Sequence, residues 1–320
     1  MKRFLQLTSL LIFLSGIQSC QKTVDYFEPL QNGPDTTWQL QPSPESSGST
    51  LRNIIRPERR RDTFTLATTN NITLQSGIRL EFNIAALVTA AGTPITGPVA
   101  FESILLKSKG DMLRAGIPTT SNGSMLISGG AFFVQAFREN QPLQIPPNNG
   151  IAFHFNTTSV QPGMKLFNGI GIPGPEFNWL PSQDTSYNRI IPLQNAYTVL
   201  STRLGWINCD KFYNTGIAVV NVAAGLPSNY TNVNSAAFVV FNNQFTIVGM
   251  RPDINQRKFV AQGIPAGERI TLVVISKQGD DYYLGHEQTT TASSSLPLET
   301  VPVHPVKVSL DQMIAYLNSL

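Results

Sequence analysis

The residues able to do chemistry are few, and their spacing decides against most reactions. His286 opens HEQTT, which begins like a zinc-protease helix, but the second imidazole that such a helix carries at i+4 is replaced by Thr290. YYLGHEQTTT reads as a strand with Tyr282, Leu284 and His286 on one face. His154 alternates away from the aromatic face of GIAFHF, and His304 stands between prolines in VPVHPV, so the histidines form no ligand set. Cys209 as a nucleophile needs a base. Its neighbour Asp210 points to the opposite face of a strand, and a carboxylate raises a thiol pKa, which leaves a small buried thiol. GIGIPG matches a dinucleotide-binding pattern at Gly169, Gly171 and Gly174, yet Pro173 and Pro175 stand where its helix would begin, so it reads as a loop. NGSML has Leu126 where a nucleophile elbow needs its second glycine. QGDDYY, with Asp280 and Asp281, lacks the alternation of a calcium loop. The expectation is no catalytic residue, no metal site and no cofactor.

Binding is a different matter. Trp179, Tyr187, Trp206, Tyr213 and Tyr230 fall in or near expected loops. Trp179 and Trp206 are the candidate ligand-contacting aromatics, since their faces can stack on sugar rings or partner side chains. The same residues suit packing at the rim or between the domains of a β protein, so both roles stand open.

The remaining chemical residue is Cys20. Lys2 and Arg3 precede an apolar run from Phe4 to Ile17, about fourteen residues, too short to cross a bilayer and suited to a secretory signal. The run ends in IQSC, with small residues Ser15, Gly16 and Ser19 before the cysteine. IQSC resembles a bacterial lipobox, from which Gln18 departs. An ordinary cut leaves Cys20 incidental; lipobox processing makes it a thioether-linked lipid anchor, with about 0.8 kcal/mol of membrane affinity per buried CH₂. Residues 1–19 are then the lipoprotein signal peptide.

Composition restricts the rest. Only 13% of the residues are charged, while Thr, Ser, Asn, Gly and Pro abound, which favours strands and turns. The formal charge of +3 includes Lys2 and Arg3 of the signal, so no nucleic-acid partner is implied. The dense basic run RPERRRD, Arg56 to Asp62, reads as a solvated linker. With Cys20 lipidated, Cys209 has no disulfide partner within the chain.

Residues 20–62 are rich in Pro, Ser, Thr and Gly and read as a flexible tether with a reach of roughly 35 Å. From Thr63 the period becomes two: Ile78, Leu80 and Phe82, then Val99, Phe101 and Leu105, then Ile151, Phe153 and Phe155 share one face of their strands. AAGTPITGP and QIPPNNG between them are turn chemistry. Residues 63–162 therefore form one β-sandwich, residues 163–209 an irregular connector, and residues 210–320 a second sandwich of about five strands. At its end Ser309 and Gln312 are spaced as a capping box before Leu310, Met313, Ile314 and Leu317, a short amphipathic helix. The fold class expected is all-β, two sandwich modules with one C-terminal helix.

SKGDMLRAGIPTTSNGSMLISGGAFFVQAF and LGWINCDKFYN resemble segments of Bacteroidetes envelope lipoproteins, and the order of elements from Thr63 to Phe155 is similar to ZU5-type β-sandwiches. FVAQGIPAGERITLVVIS, with its turn at Pro265 and Gly267, resembles transthyretin-like and carboxypeptidase-regulatory-like modules. These resemblances imply a non-catalytic lipoprotein of the outer membrane, facing the periplasm or the cell surface. Its role would be structural or interactive with an envelope protein, or glycan binding beside an uptake system.

Overall fold

The computed structural model describes residues 36–157, 160–174, 176–213, 216, 218–293 and 298–320. Cys20 and the signal segment lie outside them. Among the described residues the first half of the chain lays down β1 (Arg60–Thr65), β2 (Thr69–Thr73), β3 (Arg79–Asn83), β4 (Pro98–Leu106), β5 (Thr120–Ser121), β6 (Ser124–Arg138), β7 (Gln141–Pro142), β8 (Ile151–Asn156), β9 (Lys165–Ile170), β10 (Asn178–Pro181), β11 (Arg189–Pro192), β12 (Ala196–Ser201) and β13 (Gly205–Phe212). The second half adds β14 (Val219–Gly225), β15 (Ser235–Phe241), β16 (Ile247–Gly249), β17 (Arg251–Asp253), β18 (Lys258–Pro265), β19 (Arg269–Gln278), β20 (Asp281–Thr290), β21 (Glu299–Pro302) and β22 (Val306–Val308).

The protein is all-β, built as two sandwiches. In the first, sheet I (β1-β4-β6-β13-β9-β10) faces sheet II (β11-β12-β8-β3-β2). The alternating residues read from the sequence supply its core: Ile78, Leu80, Phe82, Val99, Phe101, Phe153 and Phe155 are all buried there, with Leu105 packed at the margin. In the second, sheet III (β17-β18-β14-β21) faces sheet IV (β16-β15-β19-β20-β22) around Val222, Val239, Phe241, Ile264, Leu272 and Val274.

Two expected boundaries are corrected. Residues 163–209 are not a connector, because β9, β10 and β13 fill one side of sheet I while β11 and β12 complete sheet II. Short strands with frequent Gly and Pro lose their period over so few residues, although each still has a full ladder partner. The tether expected through residue 62 is also shorter. Ser47–Ile55 is a helix, N-capped by the Ser46 side chain, and it buries Gly48, Leu51 and Ile55 on one face. The basic run is then drawn into β1, where Arg60 and Arg61 pair with Ser103 and Glu102 of β4.

A third core lies between the sandwiches. Sheets I and IV are apolar on both faces: in β4 Val99 and Phe101 enter the first core while Ile104 and Leu106 enter the middle one. In β19 Leu272 and Val274 enter the second core while Val273 and Ile275 turn to the middle. Three helices fill that layer, Ser47–Ile55, Lys109–Ala115 and the C-terminal Leu310–Asn318. The last two carry capping boxes, Ser108 with Asp111 and Ser309 with Gln312. Arg114 ties all three: its Nε donates to the Ile55 carbonyl oxygen at 2.9 Å and its guanidinium to Asn318 Oδ1 at 2.7 Å. Backbone bonds reinforce the seam, with the Thr119 amide donating to the Ile247 carbonyl and the Ser128 amide to the Phe245 carbonyl, both at 2.9 Å. The described residues between 36 and 320 accordingly fall in one compact unit.

Candidate functional site

The outer face of sheet I carries a row of large side chains set by strand register. Ile104 of β4 is opposite Phe133 of β6, which is opposite Trp206 of β13. Gly169 of β9 follows beside Trp206 and is itself opposite Trp179 of β10. Only glycine fits at 169: a β-carbon there would come within 2.6 Å of the Trp206 β-carbon and 2.5 Å of the Phe177 ring. Ile104 and Trp179 at the ends of the row are buried in the middle core, and Phe133 and Trp206 between them are partly buried and pack against the same core, with ring centroids 5.3 Å apart.

Arginines lie along the same face of sheet I. The Arg59 guanidinium sits over the Phe133 ring at 4.0 Å, and that of Arg61 lies 5.6 Å from the ring centre of Phe137, four residues on along the same face of β6. Glu102 stands between them, 2.9 Å from Arg61 and 4.0 Å from Arg59. Cation–π stacking of this exposed kind contributes about 0.5–1 kcal/mol per pair, enough to bias each guanidinium to one plane.

Trp179, read from the sequence as ligand-contacting, is corrected: it is 0% exposed and its indole N–H donates to the Pro118 carbonyl oxygen at 3.0 Å. Its ring packs edge-on against Phe177 at 4.9 Å, so no ring face is open. Tyr230 is buried as well, its hydroxyl donating to the Pro305 carbonyl oxygen at 3.2 Å. Trp206 remains partly open. Sequence reasoning missed Phe133, Phe137, Arg59 and Arg61 as a set, although the i, i+4 spacing of the two phenylalanines along a strand and the i, i+2 spacing of the two arginines were there to read.

The other candidates are occupied structurally. Cys209 is buried in the first core, and that burial pushes its thiol pKa far up. Asp210 is fully buried and burial holds its carboxyl well above the ordinary range; Asn208 Nδ2 donates to its Oδ2 at 2.6 Å. His286 stacks flat on Tyr316 of the C-terminal helix at 4.6 Å. His154 Nδ1 lies 2.8 Å from Thr198 Oγ1, and its Nε2 is 3.5 Å from the Glu81 carboxylate. Burial, with Arg79 adding to it, lowers the His154 pKa against the opposing pull of Glu81. GIGIPG forms the β9–β10 turn, with Gly171 at φ 83° and Gly174 at φ 147°.

No family model matches this sequence, and a search of curated proteins finds no match.

Proposed function

We propose that this is a non-catalytic cell-envelope lipoprotein, anchored by lipid on Cys20 to the outer membrane, whose two sandwiches serve as one structural or protein-interaction body. The observation that carries the reading is the middle core. By burying the outer faces of sheets I and IV against three helices it holds the two sandwiches in fixed relation, as a docking body requires and a hinged catalytic cleft does not. The side chains that nucleophilic or metal chemistry would recruit, Cys209, His154 and His286, are engaged in packing, hydrogen bonding and stacking. No helix among the described residues is long and apolar enough to cross a membrane. Fractionation of cells making the wild type and Cys20→Ala tests the anchor. The wild type is expected in the membrane fraction carrying metabolically incorporated palmitate, and the variant without label. Label retained by Cys20→Ala overturns the reading.

One observation favours a second reading, a glycan-binding lipoprotein accessory to an outer-membrane uptake system. Trp206, partly exposed where it packs against the edge of the middle core beside Phe133, is the one of the two candidate tryptophans that keeps some surface for a sugar ring.

A further inference from the structure

Trp38 and Gln39 fasten the start of the folded body to one end of the second sandwich. Trp38 packs on Phe259 of β18 with ring centroids 5.1 Å apart. Gln39 is locked to the β14–β15 loop, its amide donating to Asn232 Oδ1 at 3.0 Å and its carbonyl oxygen accepting from Asn232 Nδ2 at 2.5 Å. The same end carries an open cleft of about 670 Å³. Leu226 and Pro227 of that loop form one side, Arg257 and Lys258 of the β17–β18 turn another, and Pro302 of β21 with His304 after it the third. Among the described residues no carboxylate lines it. Lys258 Nζ donates to Thr300 Oγ1 at 3.1 Å, which engages one of the three N–H groups of an ammonium. The Arg257 side chain is exposed, and among the described residues neither cation is ion-paired. Asp253 of the same turn accepts the Gln256 amide at 2.9 Å, so residues 251–258 set Arg251, Arg257 and Lys258 against a single acid.

We infer that this end of the second sandwich rests on the bilayer that holds the Cys20 lipid, with Arg257, Lys258 and His304 facing the phosphates of anionic headgroups, an inference that rests on the anchored-lipoprotein reading above. The point where the chain joins the body decides the occupant. Residues 21–37 separate Cys20 from Trp38, a contour of at most about 60 Å, and a flexible linker of that length has a root-mean-square reach of roughly 23 Å. A tether raises the effective concentration of what it holds, most of all for the surface beside its attachment. Soluble anions gain nothing from it. Charge supplies the complement, since cations without carboxylate partners favour an anionic surface, and their attraction to it fades within a Debye length, about 8 Å at physiological salt. Contact therefore needs proximity, which the attachment provides. The denser basic run farther along, by contrast, is largely met within the fold: Arg59 and Arg61 share Glu102, and Arg60 lies 3.5 Å from Glu58.

The test places the lipidated protein in vesicles of phosphatidylcholine, alone or mixed with phosphatidylglycerol, whose headgroups carry an acceptor dye. Cys209 is buried, so a donor dye goes on one added cysteine, Asn255→Cys on the β17–β18 turn or Ala91→Cys in a turn of the first sandwich. Energy transfer from residue 255 is expected to exceed that from residue 91, to rise when phosphatidylglycerol is included, and to fall back as salt is added. Arg257→Gln combined with Lys258→Gln is expected to abolish the rise while the protein stays on the vesicles; salt produces the same loss without altering the chain. Equal transfer from the two positions, no response to phosphatidylglycerol, or a rise that survives the double substitution overturns the inference. Protein that carries no lipid and leaves the vesicles overturns the anchor reading and this one with it. Anchored protein whose turn ignores phosphatidylglycerol overturns this inference alone.

Discussion

The α-carbon of Gly110 lies directly beneath the backbone carbonyl of Leu317, so that a β-carbon on residue 110 would fall inside the van der Waals shell of that oxygen. This contact sets how closely the Lys109–Ala115 and C-terminal helices cross in the middle core. Because the obstruction is backbone on a packed helix, it cannot turn aside as a flexible side chain would. Gly110→Ala is therefore expected to destabilise by about 1–3 kcal/mol or more through overpacking, despite the better helix propensity of alanine. Urea unfolding measures it, and a neutral or stabilising effect would show that the helices can separate at no cost.

The same core predicts one cooperative unfolding transition for both sandwiches. Leu317 is fully buried against residues from both sheets that border the middle layer. Leu317→Ala is expected to cost about 2–5 kcal/mol. If the sandwiches unfold as one, scanning calorimetry shows a single lowered peak; a second peak left at the wild-type temperature would mean that they are energetically independent.

How much of this was legible depends on which interaction fixed each element. Phe153 and Phe155 announced their strand because a half-buried strand leaves a period of two, and both lie in the expected core. The helix at Ser47–Ile55 left a fainter trace. Its Ser and Gly content lowers local propensity, and Gly48 is there for tertiary reasons, since a β-carbon on it would come within 3.1 Å of the Val233 carbonyl oxygen. Ser108 and Asp111 did carry the spacing of a capping box, yet the helix they start is only seven residues long, short for a clear period. Strands buried on both faces, such as β19, read as continuous apolar runs, so the sequence could not say that the second face met another sandwich. Trp179 shows the limit for the site. An aromatic near turns reads alike whether its ring is open or covered, and only the packing of Phe177 across Gly169 decides.

Limited trypsin digestion separates a tether from a folded segment at residues 47–62. Arg52 lies within a helix whose Leu51 and Ile55 are buried, and Arg60 and Arg61 lie in a paired strand. Cleavage needs an extended backbone, so brief digestion is expected to leave these three bonds intact by mass spectrometry. Rapid cutting after Arg52 would return the segment to the tether.

Cys209 offers a check on the first core. Buried, with its thiol pKa pushed up by that burial, it has little thiolate at neutral pH. The native protein is expected to leave Ellman's reagent unreacted until denaturant unfolds it, whereas prompt reaction would expose that core as open.

Asp210 gives the pH dependence a sign. Burial raises its carboxyl pKa in the folded chain against the opposing hydrogen bonds, while an unfolded aspartate titrates near 3.9. Above about pH 4 the folded chain thus keeps a proton that the unfolded chain has released, so unfolding is favoured as pH rises. This group's contribution to stability is complete below the unfolded pKa and lost progressively as pH climbs toward the folded one. Asp210→Asn conserves size and keeps an oxygen to accept the Asn208 Nδ2 hydrogen, yet it does not titrate. Other carboxylates cancel in the comparison of the two proteins. Urea unfolding at pH 4.5, 5.5 and 6.5 is expected to show the wild type losing stability relative to Asp210→Asn as pH rises, by at most about 1.4 kcal/mol per pH unit. A difference that stays constant across those three pH values would mean that Asp210 is ionised in the folded core.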